Sequence, residues 1–205
     1  MTKLIGPAGR LVETIVPTLR TQKRVKMLLS GPPGVGKTAT ANAIGAALCG
    51  GAFAVESING RKLTIHVVSD WQADFASSSL FGSGWKVKIV NEVDTCPKDA
   101  QDLLLSFLDE MPPNRGFIGT SNLELSSLTE RFRTRLLCHE VKAPKAEEIA
   151  ALLAESVPSE VAHHIANLCG GNVRAAVLDA EGWHQKNNGE LAVLSRQLDM
   201  MKLHA

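Results

Sequence analysis

The sequence predicts an α/β protein, a parallel sheet with helices on both faces, followed by a smaller all-helical unit. Three observations carry this. Short apolar runs alternate with helical stretches as far as about residue 143, as strands joined by crossover helices do. One strand-to-helix junction, Gly31-Pro32-Pro33-Gly34-Val35-Gly36-Lys37-Thr38, has the complete form G-x-x-x-x-G-K-T, a loop that needs a strand before it and a helix after it. From Pro144 onwards only helical periodicity remains. Residues 1–143 are therefore expected to form the α/β core and residues 144–205 a helical domain.

Taken in order, Leu11, Ile15, Leu19 and Gln22 mark a short helix, and Pro17 within it predicts a kink or break. Residues 25–29 form the first strand, and the alanine-rich stretch 39–48 the helix after the glycine loop, stopped by Gly50-Gly51. Residues 53–58 are a second strand, ended by Asn59-Gly60. Beyond it Leu63, Ile65 and Val67 alternate as a strand would. Leu63, Val67, Trp71 and Phe75, with Val68 alongside, sustain a helical face over a longer window, so a helix is expected. Residues 76–84 read as a loop and 85–90 as a strongly β-forming strand from which Lys86 and Lys88 alternate outward. Leu103, Leu104, Phe107 and Leu108 define a helix over 99–111, stopped by Pro112-Pro113. Residues 116–120 and 136–141 supply the last two strands. The helical unit carries four apolar stripes: Ile149, Leu152, Leu153; Val161, Ile165, Leu168, Cys169; Val173, Ala176, Val177, Ala180; and Leu191, Leu194, Leu198, Met201.

Of the 205 residues, 44% are hydrophobic and 21% charged, enough for one good core plus a small second unit. No apolar run reaches membrane-spanning length and no signal peptide opens the chain, so a cytoplasmic protein without membrane contact is expected. Cys49, Cys96, Cys138 and Cys169 form no C-x-x-C pair and read as reduced thiols. A net charge of +1 gives no general reason to expect nucleic-acid binding.

The glycine loop carries the clearest chemistry. Its backbone N–H groups can wrap a polyphosphate, aided by the N-terminus of the following helix. Lys37 is placed to reach the β- and γ-phosphates, and the Thr38 hydroxyl to bind magnesium. Asn91, Glu92 and Asp94 end the 85–90 strand, and ligands of open parallel sheets sit at the carboxyl ends of strands. Glu92 is thus placed to orient or deprotonate a water attacking a γ-phosphate; the plainer alternative is a solvated loop carboxylate. Asn122, after the next strand, can hydrogen-bond the same water or the phosphate. Asn172 caps a helix and projects Arg174 from its first turn. Arg131, Arg133 and Arg135 read either as a solvated basic face or as a source of a charge-stabilising arginine. His66, His163, His164 and the three tryptophans, Trp71, Trp85 and Trp183, have plainer readings as surface, core or interface residues.

Together these motifs resemble an AAA+ ATPase, and within that superfamily the small subunits of sliding-clamp loaders such as replication factor C. Ile5-Gly6 resembles the segment that packs on adenine, and residues 31–38, with Ala39 after them, the Walker A loop. Glu56-Ser57-Ile58-Asn59 resembles the short motif after the second strand, and residues 89–94 the Walker B strand, with Gln101 fitting the helix after it. Asn122 matches sensor 1 and Arg174 sensor 2. Thr134-Arg135-Leu136 resembles the Ser-Arg-Cys motif that carries the arginine finger, with Arg131 as runner-up. The resemblance implies a P-loop sheet with a helical lid, and ATP and Mg2+ as ligands. It implies self-association or assembly with other AAA+ subunits, and possible engagement of DNA and a sliding clamp. In it Lys37, Thr38, Glu92, Asn122 and Arg174 act in cis and Arg135 on a neighbour's nucleotide. The chain departs from the family in two ways. Asn91 stands where the family has the aspartate that helps hold magnesium, and only residues 191–205 follow the lid, too few for the family's collar domain. The resemblance leaves three functions open: an ATP-hydrolysing loader, an ATP-binding switch that hydrolyses little, and an ATPase with another client, as in helicase loaders or transposition regulators.

Overall fold

The computed structural model describes residues 4–77, 83–124 and 129–202, with side chains to residue 187. The chain divides into two compact units, Met1–Ala143 and Pro144–Ala205.

In the first unit helix α1 (Gly6–Arg20) precedes strand β1 (Arg24–Ser30) and helix α2 (Lys37–Cys49). Then come β2 (Val55–Asn59), α3 (Ile65–Ala76), β3 (Lys86–Asn91), α4 (Lys98–Asp109), β4 (Arg115–Ser121), the single-turn α5 (Glu130–Arg133) and β5 (Leu137–Glu140). The strands form one sheet in the order β2-β3-β4-β1-β5, and every neighbouring pair is parallel. All five carboxyl ends therefore lie along one edge.

Both faces of the sheet are covered, and apolar residues of β1 and β3 are buried on each. Met27, Leu29, Val87, Ile89 and Ile118 bury against α1 and α2. Leu28, Val90 and Phe117 point the other way, onto Val68, Trp71 and Phe75 of α3 and Leu104, Phe107 and Leu108 of α4. The segment that alternates and is also helical resolves as helix: Thr64 caps it by accepting from the Val67 N–H at 3.3 Å, and its buried positions follow helical spacing.

Two expectations are corrected. Helix α1 starts at Gly6, with a proline in its first turn where no N–H is needed, and it continues to Arg20, so Pro17 does not break it. A proline inside a helix costs about 3 kcal/mol; burial of Ile15, Val16 and Leu19 around it offsets that. Lys88 does not alternate outward to solvent. It is 5% exposed, because α3 covers its face of the sheet. Its ammonium reaches Glu56 and, at 2.8 Å, Asp74, and lies 5.8 Å from the Trp71 and Phe75 rings. Lys86 joins the cluster through Asp74 at 2.7 Å.

The second unit is built from α6 (Ala146–Leu153), α7 (Ser159–Leu168) and α8 (Val173–Lys202). Its small core consists of Ile149, Ala150, Leu153, Val157, Ala162, Ile165, Ala166, Ala176 and Ala180. Leu168 and Val177, expected on buried stripes, are exposed. The stripe from Leu191 to Met201 lies outside the residues whose side chains are described.

Candidate nucleotide site

The loop between β1 and α2 is held from three sides. Val35 is buried among the α1 and α2 side chains, which pins the crest of the loop. A Cβ on Gly31, whose φ is +143°, would run into the carbonyl oxygen of Val141, so only glycine lets the chain leave β1 here. Leu4 and Ala8 lie just under 4 Å from where a Gly36 Cβ would stand, which brings Ile5 and Gly6 beside the loop. Helix α2 begins at Lys37, directly after Gly36, so its first N–H groups face the loop interior. Lys37 is buried, and its ammonium donates to the carbonyls of Gly31 at 2.8 Å and Pro32 at 2.7 Å. Thr38 is exposed and Ala39 half-buried, as are Gly34 and Gly36, with Pro33 exposed at the tip.

Glu92 sits one residue past β3 in a left-handed conformation, φ 56° and ψ 52°, which for a residue with a Cβ costs on the order of 1–2 kcal/mol. Four hydrogen bonds hold it there. Its N–H donates to the Thr120 hydroxyl at 3.1 Å. Its carbonyl accepts from the Thr95 N–H at 2.9 Å and the Thr95 hydroxyl at 2.8 Å. Its Oε2 accepts from the Asn59 amide at 3.3 Å. The carboxylate is thus aimed by β2 as well as by its own turn, which a solvated loop carboxylate is not.

Asn91 belongs to a neutral row across three strands. Its amide nitrogen donates to the Ser57 hydroxyl at 2.8 Å, and its Oδ1 faces the Thr120 hydroxyl at 3.4 Å. Asp94 lies in the short turn after Glu92, one carboxylate oxygen buried without a hydrogen-bond partner among the described residues. Burial, with Asp94 nearby, pushes the Cys96 thiol up to about 12. Asn122 follows β4 and is exposed. Ser121 pairs in register with Ser30, so Asn122 stands level with Gly31, where the glycine loop starts. The sheet therefore gathers the loop, Asn91, Glu92 and Asn122 along one edge.

Magnesium takes hard oxygen ligands and usually few of them from protein. The Thr38 hydroxyl and Asn91 Oδ1 are oxygens of that kind, so the donor set fits the ion, with fewer charges than a carboxylate would bring.

Two of the arginines are held against α4. Phe132 and Leu136 are buried in the core beneath α4, and Arg135 stands between them, half-buried, on Asp109. Arg131 is more exposed and pairs with Asp102 at 2.8 Å. Arg174 is in the second unit, exposed, in the first turn of α8; Asn172 caps that turn, accepting from the Ala175 N–H at 3.1 Å. Reading the sequence missed the parts of Asn59, Ser57 and Thr120, although Ser57 and Asn59 lie within a motif that it did single out.

The geometry can be set beside known proteins. Human replication factor C subunit 5 is 26% identical over 178 residues, 82% of this chain and 52% of that protein. Replication-associated recombination protein A of Bacillus subtilis is 28% identical over 187 residues, 82% of this chain and 39% of that one. This chain thus spans about half the length, or less, of these relatives. Among solved structures, a variant of Thermotoga maritima RuvB superposes with a TM-score of 0.69 at 20% identity, over 87% of this chain and 61% of its own. A DNA polymerase III gamma subunit-related protein of the same organism gives 0.67 at 15% identity, over 83% and 57%. At such identities the structures speak for the fold alone. The model of the ATPase family associated with various cellular activities (AAA) matches residues 27–142, more than half of the chain and the stretch from within β1 to beyond the end of β5, and the protein belongs to that family.

Proposed function

We propose that this chain binds and hydrolyses ATP as one subunit of an oligomer, and that it drives clamp loading or a similar remodelling step in DNA replication or a related DNA transaction. The observation that carries the enzymatic part is Glu92, held in a costly backbone conformation with its carboxylate tied to β2 at the strand edge where the phosphate loop also lies. In this reading the loop N–H groups and Lys37 hold the triphosphate. Lys37 leaves the carbonyls of Gly31 and Pro32 to do so. Ile5 and Gly6 border the adenine, Glu92 takes the proton of the attacking water, and Asn122 orients that water. Magnesium, held by Thr38 and more weakly by Asn91, would neutralise developing charge on the phosphates. Residues 144–205 form the lid and Arg174 reads the phosphate from it. Arg135 serves the nucleotide of a neighbouring subunit, supplied by self-association or by other AAA+ chains. The DNA-linked role rests on the names of the relatives, replication factor C subunits above all.

A second reading is favoured by Asn91: a switch that binds ATP, assembles and hydrolyses little. One pair of variants separates the two. Lys37→Ala abolishes ATP binding measured by calorimetry. Glu92→Gln leaves that affinity within about twofold while ATP turnover falls on the order of a hundredfold, the usual cost of losing a general base. Unchanged affinity in Lys37→Ala overturns the site. Tight binding with turnover equally low in the parent and in Glu92→Gln overturns the hydrolytic reading in favour of the switch.

A further inference from the structure

We infer that Asp109 is a positioning residue for Arg135: it holds the guanidinium in the attitude in which that arginine serves a nucleotide on a neighbouring subunit. The inference rests on the reading of Arg135 given above and extends it to a residue that no motif includes.

Three observations point to Asp109. The first is geometric. Arg135 Nε donates to both carboxylate oxygens of Asp109 at 3.0 Å, Nη2 lies 3.0 Å from Oδ2, and Nη1 donates to the Arg131 carbonyl at 3.2 Å. A guanidinium has five N–H donors, one on Nε and two on each Nη. The hydrogen bonds use the Nε donor and one on Nη1, and Nη2 makes an ion-pair contact, so among the described residues both Nη atoms keep an N–H for an outside acceptor. The plane is fixed while two donors remain, which is what end-on recognition of a phosphate needs.

The second is the cost of the arrangement. Asp109 is the last residue of α4, where the negative end of the helix disfavours a carboxylate, and Glu110 follows directly. A local rule is broken, and the compensating cation is Arg135 itself.

The third is the mounting. Arg135 lies between Phe132, 5% exposed, and Leu136, 6% exposed, and its N–H donates to the Phe132 carbonyl at 3.1 Å. Its backbone cannot wander; only the side chain needs a guide. Arg131, four residues earlier, pairs with Asp102 through a single nitrogen among the described residues and has 70% of its side chain exposed. Of the two arginines, Arg135 is the one built into place. The Arg135–Asp109 pair is itself half-exposed, with side chains 34% and 50% accessible. It is a weak pair, able to orient the arginine without withholding it from a stronger anion.

The test mixes two proteins. Lys37→Ala chains bind no nucleotide but supply Arg135; Arg135→Ala chains bind nucleotide but supply no finger. Their mixture recovers ATP turnover if Arg135 acts across the boundary. Placing Asp109→Asn in the Lys37→Ala chain then lowers the recovered kcat about tenfold or more, a small misplacement of a catalytic group being that costly, with KM for ATP within about twofold. Asp109→Glu in the same chain restores part of the loss. Placing Asp109→Asn in the Arg135→Ala chain changes nothing further, since no finger is left to misplace. Recovered kcat insensitive to Asp109→Asn overturns the role of Asp109 alone. An equal loss from either placement, or a loss that tracks a lowered melting temperature, marks Asp109 as merely structural and overturns it too. No recovery in the original mixture, with co-assembly confirmed, overturns Arg135 as the finger and this inference with it.

Discussion

Adding one methyl group at residue 60 tests whether the Glu92 turn is as tightly built as its hydrogen bonds suggest. Gly60 opens the short turn after β2 and is buried. A Cβ there would drive into the carbonyl oxygen of Glu92, and would stand 2.9 Å from the Thr95 hydroxyl oxygen and 3.0 Å from the Glu92 carbonyl carbon. Two of these atoms are backbone, and the third, the Thr95 hydroxyl, is held on the Glu92 carbonyl. Relief requires the Glu92–Thr95 turn to move by about an ångström, and the Thr95-to-Glu92 bonds at 2.8 and 2.9 Å lie in the path. Overpacking of this sort costs typically 1–3 kcal/mol, or roughly 3–10 °C in melting temperature for a domain of this size. The effect on chemistry is the larger one. An ångström at a catalytic group costs on the order of a hundredfold, so Gly60→Ala is expected to lower ATP turnover by about that factor with nucleotide affinity little changed. Gly182→Ala is the comparison: a Cβ there meets nothing within 4 Å, and inside α8 the change stabilises by up to about 1 kcal/mol. Turnover and melting temperature are measured for both. A Gly60→Ala protein with parental turnover refutes the reasoning, because the turn would then be free to shift without moving the carboxylate.

Two further outcomes are expected. Lys88→Met removes the shared cation from Glu56 and Asp74 and destabilises by about 1–3 kcal/mol, discounted for the half-exposed carboxylates, as read from urea midpoints. Burial raises both carboxyls, but hydrogen bonds donated by Lys88 and Trp71 to Glu56, and by Lys86 and Lys88 to Asp74, outweigh it and hold the two below their ordinary 4.5 and 3.8; their stabilisation is present above those values and is lost as pH falls through the depressed ones, so the parent loses more stability in acid than Lys88→Met does. Asn91→Asp shifts the dependence of ATP turnover on magnesium to lower concentrations and raises its plateau; superimposable titrations of the two proteins refute the account of Asn91.

The sequence made legible what lies within a few residues of itself. The phosphate loop needs a strand, a glycine run and a helix in succession, and all three are written consecutively. The parallel sheet follows from strand and helix alternation. What could not be read joins distant residues: Asn59 reaches Glu92 across 33 positions, and Asp109 reaches Arg135 across 26. No periodicity or local motif encodes such contacts, since they exist only once β2 lies beside β3 and α4 beside α5. Lys88 was misread for a related reason. Alternation assigns a polar residue to solvent, but a central strand has no solvent face, and Glu56 and Asp74 come from β2 and α3 to receive it. In the helical unit the stripes placed Leu168 and Val177 inside. The small core instead closes on alanines, Ala162, Ala166, Ala176 and Ala180, leaving some larger side chains outside.

Asn91 is where the two readings of function divide, and its surroundings show how little the backbone decides there. The asparagine amide gives its N–H to Ser57 and offers its oxygen to Thr120. An aspartate of the same shape would accept from both hydroxyls, each of which can rotate to donate. Neither residue is excluded by space or by hydrogen bonding, so the choice between them is one of charge. A carboxylate at this point would draw a magnesium ion toward the strand edge, in a site partly shielded from water once the triphosphate is in place. It would also set a second negative charge directly beside Glu92 and against the phosphates themselves. With asparagine, Glu92 is the one carboxylate aimed by β2, and the cation depends chiefly on Thr38 and the nucleotide. On the proposed function, such a site favours holding ATP over rapid turnover. That pattern suits a subunit whose hydrolysis waits on its neighbours.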